Sequence, residues 1–260
     1  MDVGSVSTPS EDSRVVLVTG GARGIGAAIS DEFRERGYRV VACGRRSPEA
    51  PREGVEFVQC DVRRPGEVDR MVAAIVERHG RLDVVVNNAG GSSETPAATI
   101  SPESFAKIIE LNLLAPFYVA QASNRVMQEQ PLGGVIVNVG SVAAVRPPPG
   151  FSAYSAAKAG LTVLTRSLAV EWAPRVRVNC VVVGLVRTPE SLNYYTSVEG
   201  LAQSIPARRL AEPSDVARAC VVLASLDLAY VSGANLALDG GGEVPNFFVR
   251  LRELRREKGL

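Results

Sequence analysis

Residues 15–26 read Val15-Val-Leu-Val-Thr19-Gly20-Gly-Ala-Arg23-Gly24-Ile25-Gly26 and run into AAISDEFRERG over residues 27–37. The β-branched apolar run predicts a buried strand, and the segment that follows has helical spacing. The turn between them carries glycines at 20, 24 and 26. Glycine permits a tight turn and lets a backbone approach a ligand closely, and a helix N-terminus favours a negative charge placed against it. The spacing G-x-x-x-G-x-G departs from the G-x-G-x-x-G of most dinucleotide-binding turns, but the physics is shared. Gly20, Arg23, Gly24, Ile25 and Gly26 are therefore candidate pyrophosphate-binding residues. An ordinary glycine-rich βα turn would show the same pattern.

Working outward, strands are expected over 15–19, 39–43, 56–60, 83–87, 135–139, 177–183 and 235–238. Several are continuous apolar runs, as parallel strands buried on both faces require. Helical start signals lie between them, at Asp61-Val-Arg-Arg-Pro65, Ser101-Pro-Glu-Ser104 and Glu212-Pro-Ser-Asp215. This alternation predicts a doubly wound α/β sheet. The chain divides into a polar, disordered lead-in over 1–13, one domain over 14–242, and an extension over 243–260.

The end of the second strand bears on the cofactor. In NAD-binding folds an acidic residue there, about 20 residues beyond the glycines, takes the ribose hydroxyls. This chain reads Ala42-Cys-Gly44-Arg45-Arg46, with glycine at the acidic position. With no carboxylate to repel it, a 2′-phosphate could sit between Arg45 and Arg23. The expected cofactor is NADP(H), with NAD(H) less favoured. Two solvated surface arginines are the alternative.

Tyr154 and Lys158 stand at i and i+4 in SAYSAAKAGLTVLTRSLAVEW, which puts both on one helix face. A ketone that gains a hydride develops negative charge on oxygen and needs a proton. A tyrosine can donate it if a nearby cation favours the phenolate left behind. Ser141 ends VIVNVGS, at the carboxyl edge of the sheet where ligands of open α/β folds bind. Its hydroxyl could orient a substrate carbonyl.

TGGARGIG over 19–26, NNAG over 87–90 and YSAAK over 154–158 together resemble the short-chain dehydrogenase/reductase family, with the likeness running from about Arg14 to Gly241. The flavour is that of 3-oxoacyl-carrier-protein reductases and related ketoreductases. The resemblance implies a Rossmann-type sheet of seven parallel strands in the order 3-2-1-4-5-6-7, in a homodimer or homotetramer. It implies that Tyr154 is the general acid/base, that Lys158 stabilises the phenolate and contacts the ribose, and that Ser141 orients the carbonyl. Asn112, in ELNLLAPF, would hold a water of the proton relay. Asp61 and Val62 would border the adenine, while Asn88, Ala89 and Gly90 would steady the central sheet beside the riboses. Gly184, Val186 and Thr188 would lie by the nicotinamide. Where the family has Pro-Gly, this chain has Val183-Gly184, which puts the geometry of the next loop in question.

The substrate would be a small carbonyl or alcohol compound, free or linked to a carrier protein or coenzyme A. Its pocket would be walled by residues 91–98, 146–152 and a mobile lid over 189–209. Phe151, Leu185, Leu192 and Tyr195 suggest an apolar lining, although a packed loop would look the same. A non-catalytic NADP(H)-binding regulatory protein is the alternative function, but such a protein would be expected to lack the tyrosine or the lysine.

Composition narrows the rest. Twenty-nine basic against 28 acidic residues, a formal charge of +1, give no reason to expect nucleic acid as a partner. One histidine, His79, excludes any metal site needing two imidazoles, and no metal is expected; His79 instead closes a helix before Gly80. No apolar run suits a membrane span, and the N-terminus lacks the pattern of a signal peptide. Cys43, Cys60, Cys180 and Cys220 lack metal spacing and read as buried thiols, so a cytoplasmic location is expected. In the extension, Phe247, Phe248, Leu251 and Leu254 recur at helical spacing, and Arg250 to Lys258 holds five basic and two acidic residues. The expectation is that the aromatic pair packs beside a subunit interface near the substrate pocket.

Overall fold

The structure, a computed structural model, describes residues 14–192, 195, 197–242 and 246–258, with the backbone alone given for 246–250. The lead-in over 1–13 and the aromatic pair Phe247 and Phe248 thus lie outside what is described of side chains. Seven strands, β1 (Val15–Thr19), β2 (Arg39–Gly44), β3 (Val55–Gln59), β4 (Val84–Asn87), β5 (Gly134–Ser141), β6 (Val176–Val183) and β7 (Asn235–Leu238), form one sheet. All pairings are parallel, in the order β3-β2-β1-β4-β5-β6-β7. The fold class and strand order expected above are those observed. Strand ends differ from the sequence reading by one or two residues.

The helices are α1 (Gly24–Glu35), α2 (Pro65–His79), α3 (Pro102–Ile109), α4 (Ala115–Glu129), α5 (Ser152–Glu171), α6 (Pro189–Leu192), α7 (Val198–Ser204), α8 (Pro213–Ala224) and α9 (Asn246–Glu257). They cover both sheet faces, and alternation along the strands decides which residue meets which layer. Leu17, Val41, Val85 and Ile136 point to one side, where they pack with Met71 and Ile75 of α2 and with Val119 and Met127 of α4. Val16, Val18, Val40, Val86 and Val137 point to the other, against Ile29 and Phe33 of α1 and Val216 and Leu223 of α8. Each fully buried side chain of this size contributes about 1.5–3 kcal/mol relative to exposure, so the apolar runs specify the layering.

The start signals act as expected. Ser101 Oγ accepts from the Ser104 N–H ahead of α3, and Glu212 and Asp215 form a reciprocal capping box on α8. Gly80 closes α2 in the left-handed conformation at φ 74°, directly after His79. Residues 102–129 are helical throughout but not uniformly α-helical. Residues Glu110–Leu114 make a π-helical turn between α3 and α4, in which the Ala115 N–H donates to the Glu110 carbonyl. Pro116 supplies the reason: it has no N–H to offer the Asn112 carbonyl at α-helical spacing, so the ladder loosens there.

The parallel order places the carboxyl ends of β1 and β4 side by side where the chain direction of travel reverses. This is the crevice in which open α/β sheets bind ligands.

Candidate active site

A cavity of about 940 Å³ opens at these strand ends. Its floor is the turn between β1 and α1. Gly20 and Gly24 have φ of +65° and +52°, and a Cβ at Gly26 would collide with the Gly20 carbonyl oxygen. Arg23, the residue before α1, makes no side-chain capping bond. The first amides of α1 therefore have no capping side chain and face the cavity through Gly24, Ile25 and Gly26. A cradle this bare suits a pyrophosphate, and the cavity lining runs from Arg45 and Asp61 past this turn to Ser141 and Thr188. The residues present fit the implied nicotinamide cofactor.

The turn is braced from β4. Asn88 Nδ2 donates to the carbonyls of Thr19 (2.9 Å) and Gly20 (3.4 Å), and the backbone N–H groups of Asn88 and Ala89 both donate to Thr19 Oγ1 at 3.0 Å. Deeper in the sheet, Asn87 Nδ2 donates to Asn138 Oδ1 (3.0 Å) and to the Pro116 carbonyl. Asn138 Nδ2 in turn donates to Thr165 Oγ1 of α5 at 2.9 Å. One buried polar chain thus joins β4, β5, α4 and α5.

At one end of the cavity, Gly44, Arg45 and Arg46 stand beside Asp61 and Val62. Arg23 and Arg45 are both solvent-exposed. The Asp61 carboxylate is engaged by Arg63, which donates from Nη2 at 2.6 Å and Nε at 3.0 Å. That pairing holds its carboxyl below the usual carboxylate range. Burial pushes the neighbouring Cys60 thiol up to about 11. Cys43, Cys60, Cys180 and Cys220 are all buried free thiols.

At the other end stand Ser141, Tyr154, Lys158, Gly184, Val186 and Thr188. Ser141 terminates β5, where its Oγ accepts from the Ala143 N–H at 3.2 Å. Tyr154 and Lys158 lie on the same side of α5, the ammonium 5.7 Å from the centre of the phenol ring. Lys158 is buried and donates to the Val139 carbonyl at 2.8 Å. Its Nζ and Asn112 Oδ1 both crowd the space beside Gly90, where an added Cβ would lie 3.4 Å and 2.8 Å from them.

Asn112 differs from the other residues anticipated at the site. It is fully buried in the π turn, and its amide is spent on backbone: Nδ2 donates to Gly91 and Ile108 carbonyls and Oδ1 accepts from Gly91 N–H, all at 2.9 Å. The side chain pins the Gly90–Gly91 turn and does not line the cavity. Every other catalytic or cofactor candidate from the sequence lines this one cavity.

The apolar wall is less as anticipated. Of Phe151, Leu185, Leu192 and Tyr195, only Tyr195 lines the cavity. Phe151 instead packs edge-on against Tyr154, ring centres 6.5 Å apart. Leu185 turns to a second cavity of about 350 Å³ beneath residues 205–211, and Leu192 is surface-exposed. Burial, with the Tyr154 phenol nearby, pushes the Tyr195 hydroxyl above its ordinary range. Sequence reasoning missed Glu190 and Ser191, which also line the cavity. Only the tertiary position of the short helix α6 reveals them. Among the described residues, no cluster suits a metal ion and no helix is long and apolar enough to cross a membrane.

Known proteins resemble both the sequence and this arrangement. The family model described as "Enoyl-(Acyl carrier protein) reductase" matches residues 20–243. The 3-oxoacyl-[acyl-carrier-protein] reductase MabA of Mycobacterium tuberculosis (strain ATCC 25618 / H37Rv) is 38% identical over 231 residues, covering 88% of this chain and 92% of that protein. The 3alpha-hydroxysteroid dehydrogenase of Mediterraneibacter gnavus is 36% identical over 246 residues, covering 88% and 96%. The ligand-free aldohexose dehydrogenase of Thermoplasma acidophilum superposes with a TM-score of 0.84 at 29% identity, over 89% of this chain and 95% of that one. With its strand order, its glycine turn and its paired tyrosine and lysine, the chain belongs to the short-chain dehydrogenase/reductase family of oxidoreductases.

Proposed function

We propose that this protein reduces a ketone to a secondary alcohol with NADPH, or runs the reverse oxidation, on a 3-oxoacyl or related keto substrate. The observation that carries the reading is the convergence of Ser141, Tyr154 and Lys158 on the cavity floored by the glycine turn. Relatives named for 3-oxoacyl thioesters and for hydroxysteroids support oxidation and reduction at a CH–OH carbon.

A bound nicotinamide supplies the hydride that the carbonyl carbon accepts. Ser141 donates a hydrogen bond to the carbonyl oxygen and fixes its direction. Tyr154 gives that oxygen its phenolic proton as charge develops there, which completes the alcohol. Lys158, held by the Val139 carbonyl, places a positive charge beside the phenolate that remains. Asn112, with its amide engaged by three backbone groups, would hold the relay water through its own main chain. In the oxidative direction each proton step reverses.

NADP(H) is favoured over NAD(H) because Arg23 and Arg45 line the same cavity as Gly44, a position that offers no carboxylate. The substrate is proposed to be an apolar keto compound, free or bound as a thioester to a carrier protein or coenzyme A. A segment over 189–209 would cover it. A homodimer or homotetramer in the cytoplasm completes the proposal. Exposed apolar residues lie on two separate faces, Val163 and Val170 of α5 on one and Val222 and Leu236 of α8 and β7 on the other. The competing reading, an NADP(H) sensor without turnover, is disfavoured by the intact Tyr154 and Lys158.

The deciding experiment is oxidation of NADPH by the full chain with β-keto thioesters, ketosteroids, quinones and small β-keto acids as substrates. Turnover of a β-keto thioester supports the proposal. Tight NADPH binding with no turnover of any carbonyl class would favour the sensor.

A further inference from the structure

Glu190, the second residue of α6, brings its carboxylate to the glycine turn. Its Oε2 lies 3.5 Å from the place a Cβ on Gly24 would occupy, at the first residue of α1. It is exposed, lines the cavity, and has no hydrogen-bond or ion-pair partner among the described residues. An unpaired carboxylate thus stands against the helix terminus that most favours an anion.

The short helix that carries the carboxylate is anchored. Ser191 staples α6 to the strand-end segment: its Oγ donates to the Val186 carbonyl at 2.6 Å and accepts from the Thr188 N–H at 2.9 Å. Thr188 Oγ1 accepts the Ser191 N–H at 3.1 Å in return. The segment itself is anchored to residue 211 through Arg187 N–H to the Ala211 carbonyl and Ala211 N–H to the Leu185 carbonyl. The helix therefore cannot swing away independently of Val186 and Thr188, which line the same cavity.

We propose that Glu190 is an affinity-setting residue of the cofactor site: its carboxylate stands beside the N-terminus of α1 and weakens dinucleotide binding by like-charge repulsion of the pyrophosphate. The proposal rests on the cofactor reading above. When a dinucleotide enters, Glu190 must turn outward, because two anions cannot share the first turn of α1. The competing charge acts on the pyrophosphate, which NADPH and NADH have in common. It therefore lowers affinity for both and does not choose between them, unlike Arg23 and Arg45. The Tyr195 N–H donates to the Ser191 carbonyl at 2.9 Å, so the residue that must yield to cofactor belongs to the turn that presents Tyr195 to the cavity.

The test is titration of the full-length, cofactor-free protein with NADPH and with NADH, followed by fluorescence of the bound nicotinamide, for wild type, Glu190→Gln and Glu190→Asp. Gln keeps the shape and removes the charge. Glu190→Gln should tighten both dinucleotides by about three- to tenfold, the range for one exposed, solvent-screened charge. The NADPH-to-NADH ratio should not change, and Glu190→Asp should lie between the two. Unchanged or weaker binding by Glu190→Gln overturns the proposal. So does tightening confined to NADPH, which would place the carboxylate against the 2′-phosphate instead. If wild type and variants bind neither dinucleotide, the cofactor reading itself fails and takes this one with it.

Discussion

Tyr154 and Lys158 share one side of α5, and the distinct tasks assigned to them separate under mutation. Tyr154→Phe keeps the ring and its edge-on packing with Phe151 but removes the proton. Turnover should fall by about 10² or more with NADPH binding retained. Steady-state kinetics beside a binding titration checks this, and near-normal turnover would refute the acid/base role. Lys158→Met should harm rate and cofactor affinity together, because the proposed role of the ammonium spans the phenol and the ribose. At the opposite end of the cavity, a Cβ at Gly44 would meet the Phe57 ring at 3.5 Å, an ordinary contact. The double variant Gly44→Asp, Arg45→Ile should therefore fold, and its kcat/KM ratio should shift towards NADH as a carboxylate replaces a cation where the ribose is proposed to lie. A wild type that prefers NADH would make Arg45 a surface residue only.

At the scale of elements, two devices set the geometry of the cavity. The π turn before α4 aims Asn112 inward at Gly91, and the Asn87–Asn138–Thr165 chain fastens α5 to the middle of the sheet. Helix α8, which backs the glycine turn through its packing on α1, carries a measurable electrostatic signature at its start. Asp215 accepts from Arg209 at 2.6 Å and from Arg218 at 2.7 Å, and these bonds bring its carboxyl down to about 2. A folded value below the unfolded value of about 3.9 means that the native state binds fewer protons. The resulting stability is fully present above pH 4 and is lost as pH falls through about 2. Both arginines are more than half exposed, so the effect should be on the order of 1 kcal/mol. Urea unfolding of wild type and Asp215→Asn should give midpoints that differ at pH 6 and converge towards pH 2. A difference independent of pH would assign the loss to the capping geometry alone.

For the whole molecule, the C-terminal extension is the part least absorbed by the sheet. Helix α9 spans Asn246–Glu257, and its described side chains, including Leu251 and Leu254, are exposed. Just before it, Asp239 accepts from Arg146 at 2.7 Å, which ties the end of β7 to the loop that follows β5. Truncation after Gly242 should lower the stability of the assembled oligomer, the substrate affinity, or both, if the extension seats against a neighbouring subunit. Light scattering, melting temperature and kinetics that all match wild type would refute that placement.

What was legible in the sequence was local or periodic. Buried strands reveal themselves as β-branched runs because both faces of a parallel sheet are covered. The glycine turn reveals itself because only glycine takes the backbone angles seen at 20 and 24 and the clearance needed at 26. Tyr154 and Lys158 could be paired because helical spacing alone puts them on one face. By themselves these residues determined the α/β class, the strand positions and the identity of most cavity residues. Tertiary structure decided the rest. Asn112 was assigned by motif, but whether its amide faces solvent or is spent on Gly91 depends on a π turn that a missing proline N–H creates at a distance of four residues. Leu185 and Tyr195 lie on either side of α6 and both suggested an apolar wall, yet they face different cavities, and the Val186–Ala211 bridge fixes the segment beside Leu185. Glu190 meets Gly24 across more than 160 residues of chain, and no local pattern encodes a contact made only when two strand ends are brought together.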